Sequence, residues 1–296
     1  MAHERKKLDP GSLDTLKTAR NLYENEGATE ALERIQELFE RVDHPAIRRF
    51  YCRLLVHFGR DDEAKNILTP VIRQIYQPGF WELGLVNVGI SKVVWSPKYK
   101  FMYFPVPKCG STSVKNVFRI LEGDANRGEG VHDIIDPLYR WMDRKNVRAK
   151  VPRAWRFAIV RDPMVRVRSY FRGNIEARDA LVKAARGRDS YYSLSTRPTY
   201  DEFLDNFDAY RRVFITVRQH VMPLCDYLGT DPGLFHWLGS LEQMGGLMSE
   251  LATRSGAAIP NVNEMRSPAG EVVTSSKEDV VRQLYGKDYQ HYGRWF

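Results

Sequence analysis

The stretch FPVPKCGSTSVKNVF, residues 104–118, sets a lysine, a glycine and three consecutive hydroxyl residues between an apolar run broken by two prolines and a resumed helical pattern. If the helix starts here, the N–H groups of Gly110, Ser111, Thr112 and Ser113 lack intrahelical partners and carry partial positive charge. The three hydroxyls add donors, Lys108 adds a full charge, and Gly110 lets the backbone approach a ligand closely. The chemistry this suits is an oxyanion cradle at a helix N-terminus. A Walker A loop, GxxxxGK[ST], places its lysine after the glycine and beside a magnesium-holding hydroxyl. Here Lys108 precedes Gly110, which disfavours an ordinary magnesium-dependent nucleotide hydrolase. The plainer alternative is a strand-to-helix turn with Ser/Thr caps and a surface lysine.

A second stretch, FAIVRDPMVRVRSYF at 157–171, repeats the geometry. Arg161 is expected to end a strand. Asp162 is expected to cap the following helix, with Pro163 at its first position. Ser169 falls about two turns in. Arginine suits a phosphate because its planar fork donates two parallel hydrogen bonds. The alternative for this stretch is a capped helix start with a surface arginine.

The elements that must position these groups follow from pattern. KFMYFPV (100–106) and RFAIV (156–160) read as strands, and RVFITV (212–217) is expected to be a third. STSVKNVFRILEG puts Val114, Val117, Phe118 and Leu121 on one helical face, with Gly123 able to stop it. SLEQMGGLMSELATRSG carries Leu241, Met244, Met248 and Leu251 at helical spacing, and SSKEDVVRQLY is expected to form a final amphipathic helix. Strands alternating with helices predict an α/β domain with a mainly parallel sheet, where ligands bind beyond the carboxyl ends of the strands.

Residues 12–75 read as helices. Glu30-Ala31 and Glu63-Ala64 are thirty-three residues apart, close to the ~34-residue period of a tetratricopeptide repeat. The expectation is therefore an N-terminal helical, TPR-like segment at 1–90 and an α/β domain at 91–296. The segment is read either as a protein-binding arm or as a helical hairpin that packs on the next domain.

The chain has 296 residues, 43% of them hydrophobic, and a formal charge of +8, which suits an anionic ligand. Arg144 to Arg172 holds ten Lys/Arg and the single acid Asp162, and reads as a ligand field. Cys52, Cys109 and Cys225 are distant from one another and form no metal-ligand spacing, so neither a disulfide framework nor structural zinc is expected. No metal is expected. The polar N-terminus and the absence of any ~18-residue apolar run predict no membrane span and a cytoplasmic protein.

Taken together, PKxGSTS followed by RDPxxRxxSYF resembles the paired nucleotide motifs of sulfotransferases. The nearest likeness is to the carbohydrate-type group, which includes membrane-bound Golgi enzymes and soluble bacterial relatives. RQHVMPLCDYLG, SLEQM, PNVN and the tail YGKDYQHYGRWF are similar to that group less specifically. The resemblance covers residues 99–296 and implies a P-loop-like fold and the donor 3′-phosphoadenosine-5′-phosphosulfate (PAPS). By position, Lys108, Gly110, Ser111, Thr112 and Ser113 would hold the 5′-phosphosulfate, and Arg161 and Ser169 the 3′-phosphate. Cys109 fills a position the family varies, and is read as packing.

The implied reaction is in-line sulfuryl transfer to a hydroxyl or amine of an acceptor, a saccharide or glycolipid, with Lys108 neutralising the leaving oxygen. His132 lies between the two motifs, where related carbohydrate enzymes carry their base, and is the preferred base. Glu129 is the second choice, and Asp133 flanks them. His220 is read as structural or as an acceptor contact, His236 and His291 as aromatic-packed, and His3, His44 and His57 as part of the helical arm. Two competing readings are a P-loop-like kinase or other nucleotide enzyme, and a non-catalytic nucleotide-sensing scaffold. Nucleic acid is disfavoured because the basic block lacks interleaved aromatic residues and no recognition motif matches.

Overall fold

Asp9 opens the first helix: its carboxylate accepts from the Ser12 amide at 2.9 Å, and Pro10 takes the first helical position. The computed structural model describes residues 8–72, 82–85, 89–123, 138–259 and 274–296. Four helices follow one another, α1 (Pro10–Glu24), α2 (Ala28–Arg41), α3 (Pro45–His57) and α4 (Asp61–Ile72), each packed on the next. In α2 the buried positions Ala28, Ala31, Ile35 and Leu38 form one stripe, as the helical period requires. Ala31 and Ala64, the matching positions of the thirty-three-residue echo, are both fully buried.

The chain divides into two units. The first takes in Met1–Val86 together with two later segments, Leu181–Thr196 and Asp208–Gln219; the second takes in the remainder. The later segments satisfy helix ends in the first unit. Tyr191 and Tyr192 both donate their hydroxyls to the Tyr23 carbonyl, at 3.1 and 2.7 Å, and Arg188 donates to the Glu24 carbonyl. These carbonyls lie at the end of α1, where main-chain partners run out; that of Tyr23 also accepts from the Glu26 amide at 3.2 Å. The two tyrosines sit on a small hairpin whose strands are Ser190–Tyr191 and Leu194–Ser195, with Tyr192 and Ser193 both at positive φ in the turn. In return, Arg53 of α3 donates to the carbonyls of Arg212 and Val213.

The second unit is mixed α/β. Its five-stranded sheet is built from β1 (Ile90–Ser96), β2 (Phe101–Tyr103), β3 (Tyr139–Asp143), β4 (Trp155–Val160) and β7 (Trp237–Ser240), in the order β3-β1-β2-β4-β7; β5 and β6 are the strands of the hairpin. β2, β4 and β7 pair in parallel, while β1 pairs antiparallel with both β2 and β3. Four of the five strands therefore point one way and β1 alone is reversed. SPKYK is the turn of the β1–β2 hairpin, with Ser96 opposite Phe101. Every residue of the central strand β4 is buried.

RVFITV is not a strand. Residues 207–213 and 215–221 are helices, and Tyr210, Val213, Phe214, Val217 and Val221 are buried at a helical spacing. The short β-branched run imitated a strand, but its burial follows a period near 3.6. The third parallel strand is instead Trp237–Ser240, too short and too glycine-containing to stand out. Nor is SSKEDVVRQLY one terminal helix: it gives Glu278–Arg282 and a 3₁₀ turn, and a further helix, Gly286–Tyr292, follows. PNVN lies outside the described residues.

The basic block between Arg144 and Arg172 also reads differently. Arg144 donates to Ser91 and to the carbonyls of Ile90, Asp226 and Tyr227, and Arg156 to the carbonyls of Ala154 and Leu234. Arg168 makes a fork with Glu278, which also accepts from Tyr200. Arg166 is 1% exposed and donates to the carbonyls of Pro107, His220 and Met222. These four arginines serve the interior rather than a ligand. Their many donors close off carbonyls that loops and helix ends leave open.

Two outcomes follow. Arg166→Met leaves three buried or part-buried carbonyls without their donor and should cost about 3 kcal/mol, read as a lower denaturant midpoint at constant m-value; a loss well below that would show that the guanidinium is not the tie. His57, against Tyr23, Tyr192 and Phe58, has its pKa lowered to about 4 by burial and by Arg53 and Arg212. Between the unfolded value near 6.5 and about 4 the unfolded chain binds the extra proton, so stability falls as pH falls through that window. His57→Phe should recover roughly 2 kcal/mol of the stability lost between pH 7 and 4.5, measured by urea unfolding at both pH values.

Candidate anion-binding active site

Three parallel strands deliver three loops to one edge of the sheet. β2 runs into the Pro105–Gly110 loop and the helix α5 (Ser111–Leu121). β4 runs into Arg161 and the helix α6 (Pro163–Tyr170), and β7 into Leu241–Gln243. This is the side of a parallel sheet where α/β proteins bind ligands.

The first loop turns on two left-handed residues, Lys108 at φ 63° and Gly110 at φ 67°, with Cys109 between them at negative φ. Such alternation turns successive N–H groups to one side and makes an anion-binding concavity. Gly110 is the N-cap of α5, and no side chain caps that end. The positive φ favours glycine at 110, and a Cβ there would stand 2.7 Å from Leu241 Cδ1 and from Met244 Cε, so both side-chain tips would have to move. Ser111 and Thr112 are half-buried in the first helical turn, and Ser113 is buried. Val114, Val117, Phe118 and Leu121 are all buried and anchor the helix. Cys109 is fully buried and its thiol is pushed up to about 11 by burial, so it stays a neutral packing group.

The second loop starts with Arg161, half-buried, whose Nε is buried without a hydrogen-bond partner. Asp162 caps α6 as its sequence position requires, accepting from the amides of Met164 and Val165 at 2.8 and 3.1 Å, and its other oxygen accepts from Tyr289 at 3.0 Å. Ser169 lies half-buried near the end of α6. The helix then widens into a π-turn, Phe171–Glu176, a form common at functional sites. That turn carries Asn174, whose Oδ1 accepts from Lys108 Nζ at 3.0 Å.

The electrostatics join the two loops. The Lys108 ammonium is lowered to about 8 by burial and by the fields of Arg178 and Arg161. Arg161 also faces Glu242, whose carboxyl is held below its usual value by Ser240, by backbone hydrogen bonding and by Arg161. The edge is thus a half-buried concentration of positive charge with an orphaned guanidinium nitrogen and an uncapped helix start, a combination that fits a polyanion. Among the described residues, no group of His, Cys, Asp and Glu could hold a metal ion.

Lys108 and Gly110 thus share one loop with Ser111, Thr112 and Ser113 in the helical turn that follows it, and Arg161 is within electrostatic reach of Lys108. Glu129, His132 and Asp133 lie outside the described residues. His220 stacks on Tyr170, the residue after Ser169, at 5.0 Å between centroids. His236 is bound to β4 through Nδ1, which accepts from the Arg156 amide at 2.9 Å. Asn174, Arg178 and the Leu241–Met244 contact on Gly110 went unassigned in the sequence. SLEQM reads in the sequence as the start of a helix and as a family likeness, and nothing in its residue types announces that Leu241 and Met244 close on the glycine.

A model described as the sulfotransferase family matches residues 91–293, more than half of the chain. No curated protein and no solved structure matches it. Two helix starts at adjacent parallel strand ends, with Lys108 and Arg161 in electrostatic reach of one another, agree with the family match, and the chain belongs to the sulfotransferase family and is a transferase.

Proposed function

We propose that the strand-end edge binds PAPS and that the chain transfers its sulfuryl group to a saccharide hydroxyl. The observation that carries this reading is the pairing of Lys108 with Arg161. Two half-buried cations from successive motifs lie within electrostatic reach of one another, and Lys108 donates to a neutral amide. Such a place favours a ligand with two separated anionic ends. In this reading the N–H groups and hydroxyls of Gly110–Ser113 receive the 5′-phosphosulfate, and Arg161 and Ser169 the 3′-phosphate.

An acceptor oxygen attacks sulfur in line, the bond from sulfur to the bridging oxygen breaks, and adenosine 3′,5′-bisphosphate leaves. Lys108 supports the negative charge that grows on the bridging oxygen, and the α5 N-terminus supports the phosphate behind it. The acceptor proton passes to a base, for which His132 remains preferred and Glu129 second. Positioning and charge stabilisation supply most of the catalysis, as in phosphoryl transfer. The saccharide acceptor rests on the likeness of the two motifs to the carbohydrate-type group.

Wild type and Lys108→Ala should be compared in one assay, with labelled PAPS, a panel of saccharide acceptors and EDTA throughout. Wild type should turn over without magnesium. Lys108→Ala should lose about 10²–10³-fold in rate while its far-UV circular dichroism and melting stay close to wild type. Equal turnover in both would refute the role of Lys108. A strict magnesium requirement would favour the kinase-like reading, and no calorimetric heat with adenosine 3′,5′-bisphosphate would refute the donor.

A further inference from the structure

The contact between Lys108 and Asn174 is separate from the two motifs and is made by an irregular piece of helix. α6 passes directly into the π-turn Phe171–Glu176. The wider turn brings its backbone close to the lysine: a Cβ on Gly173 would stand 3.2 Å from Lys108 Nζ. Lys108 is itself held at φ 63°, so its side chain leaves the loop from a backbone conformation that L-residues seldom adopt. Two unusual backbone segments, sixty-six residues apart, meet in one 3.0 Å hydrogen bond.

We infer that Asn174 is the positioning residue for Lys108: its side-chain carbonyl fixes the ammonium at the strand-end edge and does so without neutralising it. The identity of the anion rests on the donor reading above, while the contact does not. The choice of a neutral acceptor has a physical reason. An apolar side chain at 174 would leave a half-buried ammonium without its acceptor, and a carboxylate would compete with an incoming anion for the same charge. Among the described residues, the charged groups that act on the lysine are Arg178 beyond the π-turn and Arg161 at the end of β4, and Arg161 in turn lowers Glu242. Burial and the two arginines favour loss of the lysine's proton; an accepted hydrogen bond opposes that loss.

The test measures the Lys108 ammonium itself. Trace acetylation with acetic anhydride across pH 6–11, read by mass spectrometry of the peptide containing Lys108, gives its titration midpoint in the folded protein. The wild-type midpoint should lie at about 8. Asn174→Ala should lower it by about one unit and Asn174→Asp, nearly isosteric, should raise it by about one unit or more. The alkaline limb of kcat/KM should move in the same directions, and Asn174→Asp should also raise the donor KM. Residue 174 acting only as packing would change melting and leave both midpoints in place, and unmoved midpoints in both variants overturn the inference. Calorimetry with adenosine 3′,5′-bisphosphate on wild type stands apart: no heat refutes the donor, and the acetylation midpoints still decide the role of Asn174.

Discussion

Like charges are crowded at the ends of two parallel strands, and much of the second unit is arranged around holding them there. A lysine lowered from 10.5 to about 8 is disfavoured in its charged form by roughly 3 kcal/mol, a substantial fraction of what stabilises an ordinary domain. Burial contributes the largest part, and Arg178 and Arg161 add to it. Packing gives no reason to bring Lys108 and Arg161 together, since neither fills the core. A multiply charged anion offsets these terms by adding an attraction to each cation. The repulsion that weakens the free protein is outweighed in the complex by attraction to the anion, and a site preorganised in this way need not reorganise as charge develops.

Holding such a cluster needs rigid supports, and they come from the backbone and from buried arginine. β2, β4 and β7 fix the spacing of three loops. Gly110 allows Leu241 and Met244 to close over the first loop. Arg166 then locks the two motifs together, since it stands on α6 yet donates to the Pro107 carbonyl just before Lys108. The RDPxxR pattern thus contains two arginines with opposite duties. Arg161 is half-buried at the strand end within electrostatic reach of Lys108, whereas Arg166 is buried and donates through Nε and one terminal nitrogen to main-chain carbonyls, its other terminal nitrogen being unpaired like Nε of Arg161.

What the sequence made legible follows from whether its signals were local. The helix starts at Ser111 and Pro163 were readable because caps, proline and the apolar spacing of Val114, Val117, Phe118 and Leu121 lie within a few residues. β2 and β4 were readable as short apolar runs. RVFITV failed because β-branched residues in six positions suit either period, and only the burial of Tyr210 and Val221 on either side decides it. The basic block misled for a related reason. Charge counted along the chain cannot distinguish Arg161 from Arg144, Arg156, Arg166 and Arg168, whose acceptors, Ala154 beside Arg156 apart, are 53 to 110 residues away. Asn174 was invisible because it depends on a π-turn, which has no residue signature of its own.

The helical unit is also more than an extension at the N-terminus. After β4 and α6 the chain leaves the second unit at Leu181, returns at Arg197, leaves again at Asp208 and returns at His220, before it reaches β7. The connection between two neighbouring parallel strands therefore passes twice through the helical unit. Those excursions supply the donors that close the end of α1, from Arg188, Tyr191 and Tyr192, and the carbonyls that Arg53 holds. A helix end without such partners carries unpaired polar groups, so α1–α4 lose part of their own hydrogen bonding if they are cut from the rest. The pattern in residues 12–75 reads as a complete helical array because amphipathic periodicity reports which faces are buried and says nothing about which distant residues satisfy the ends.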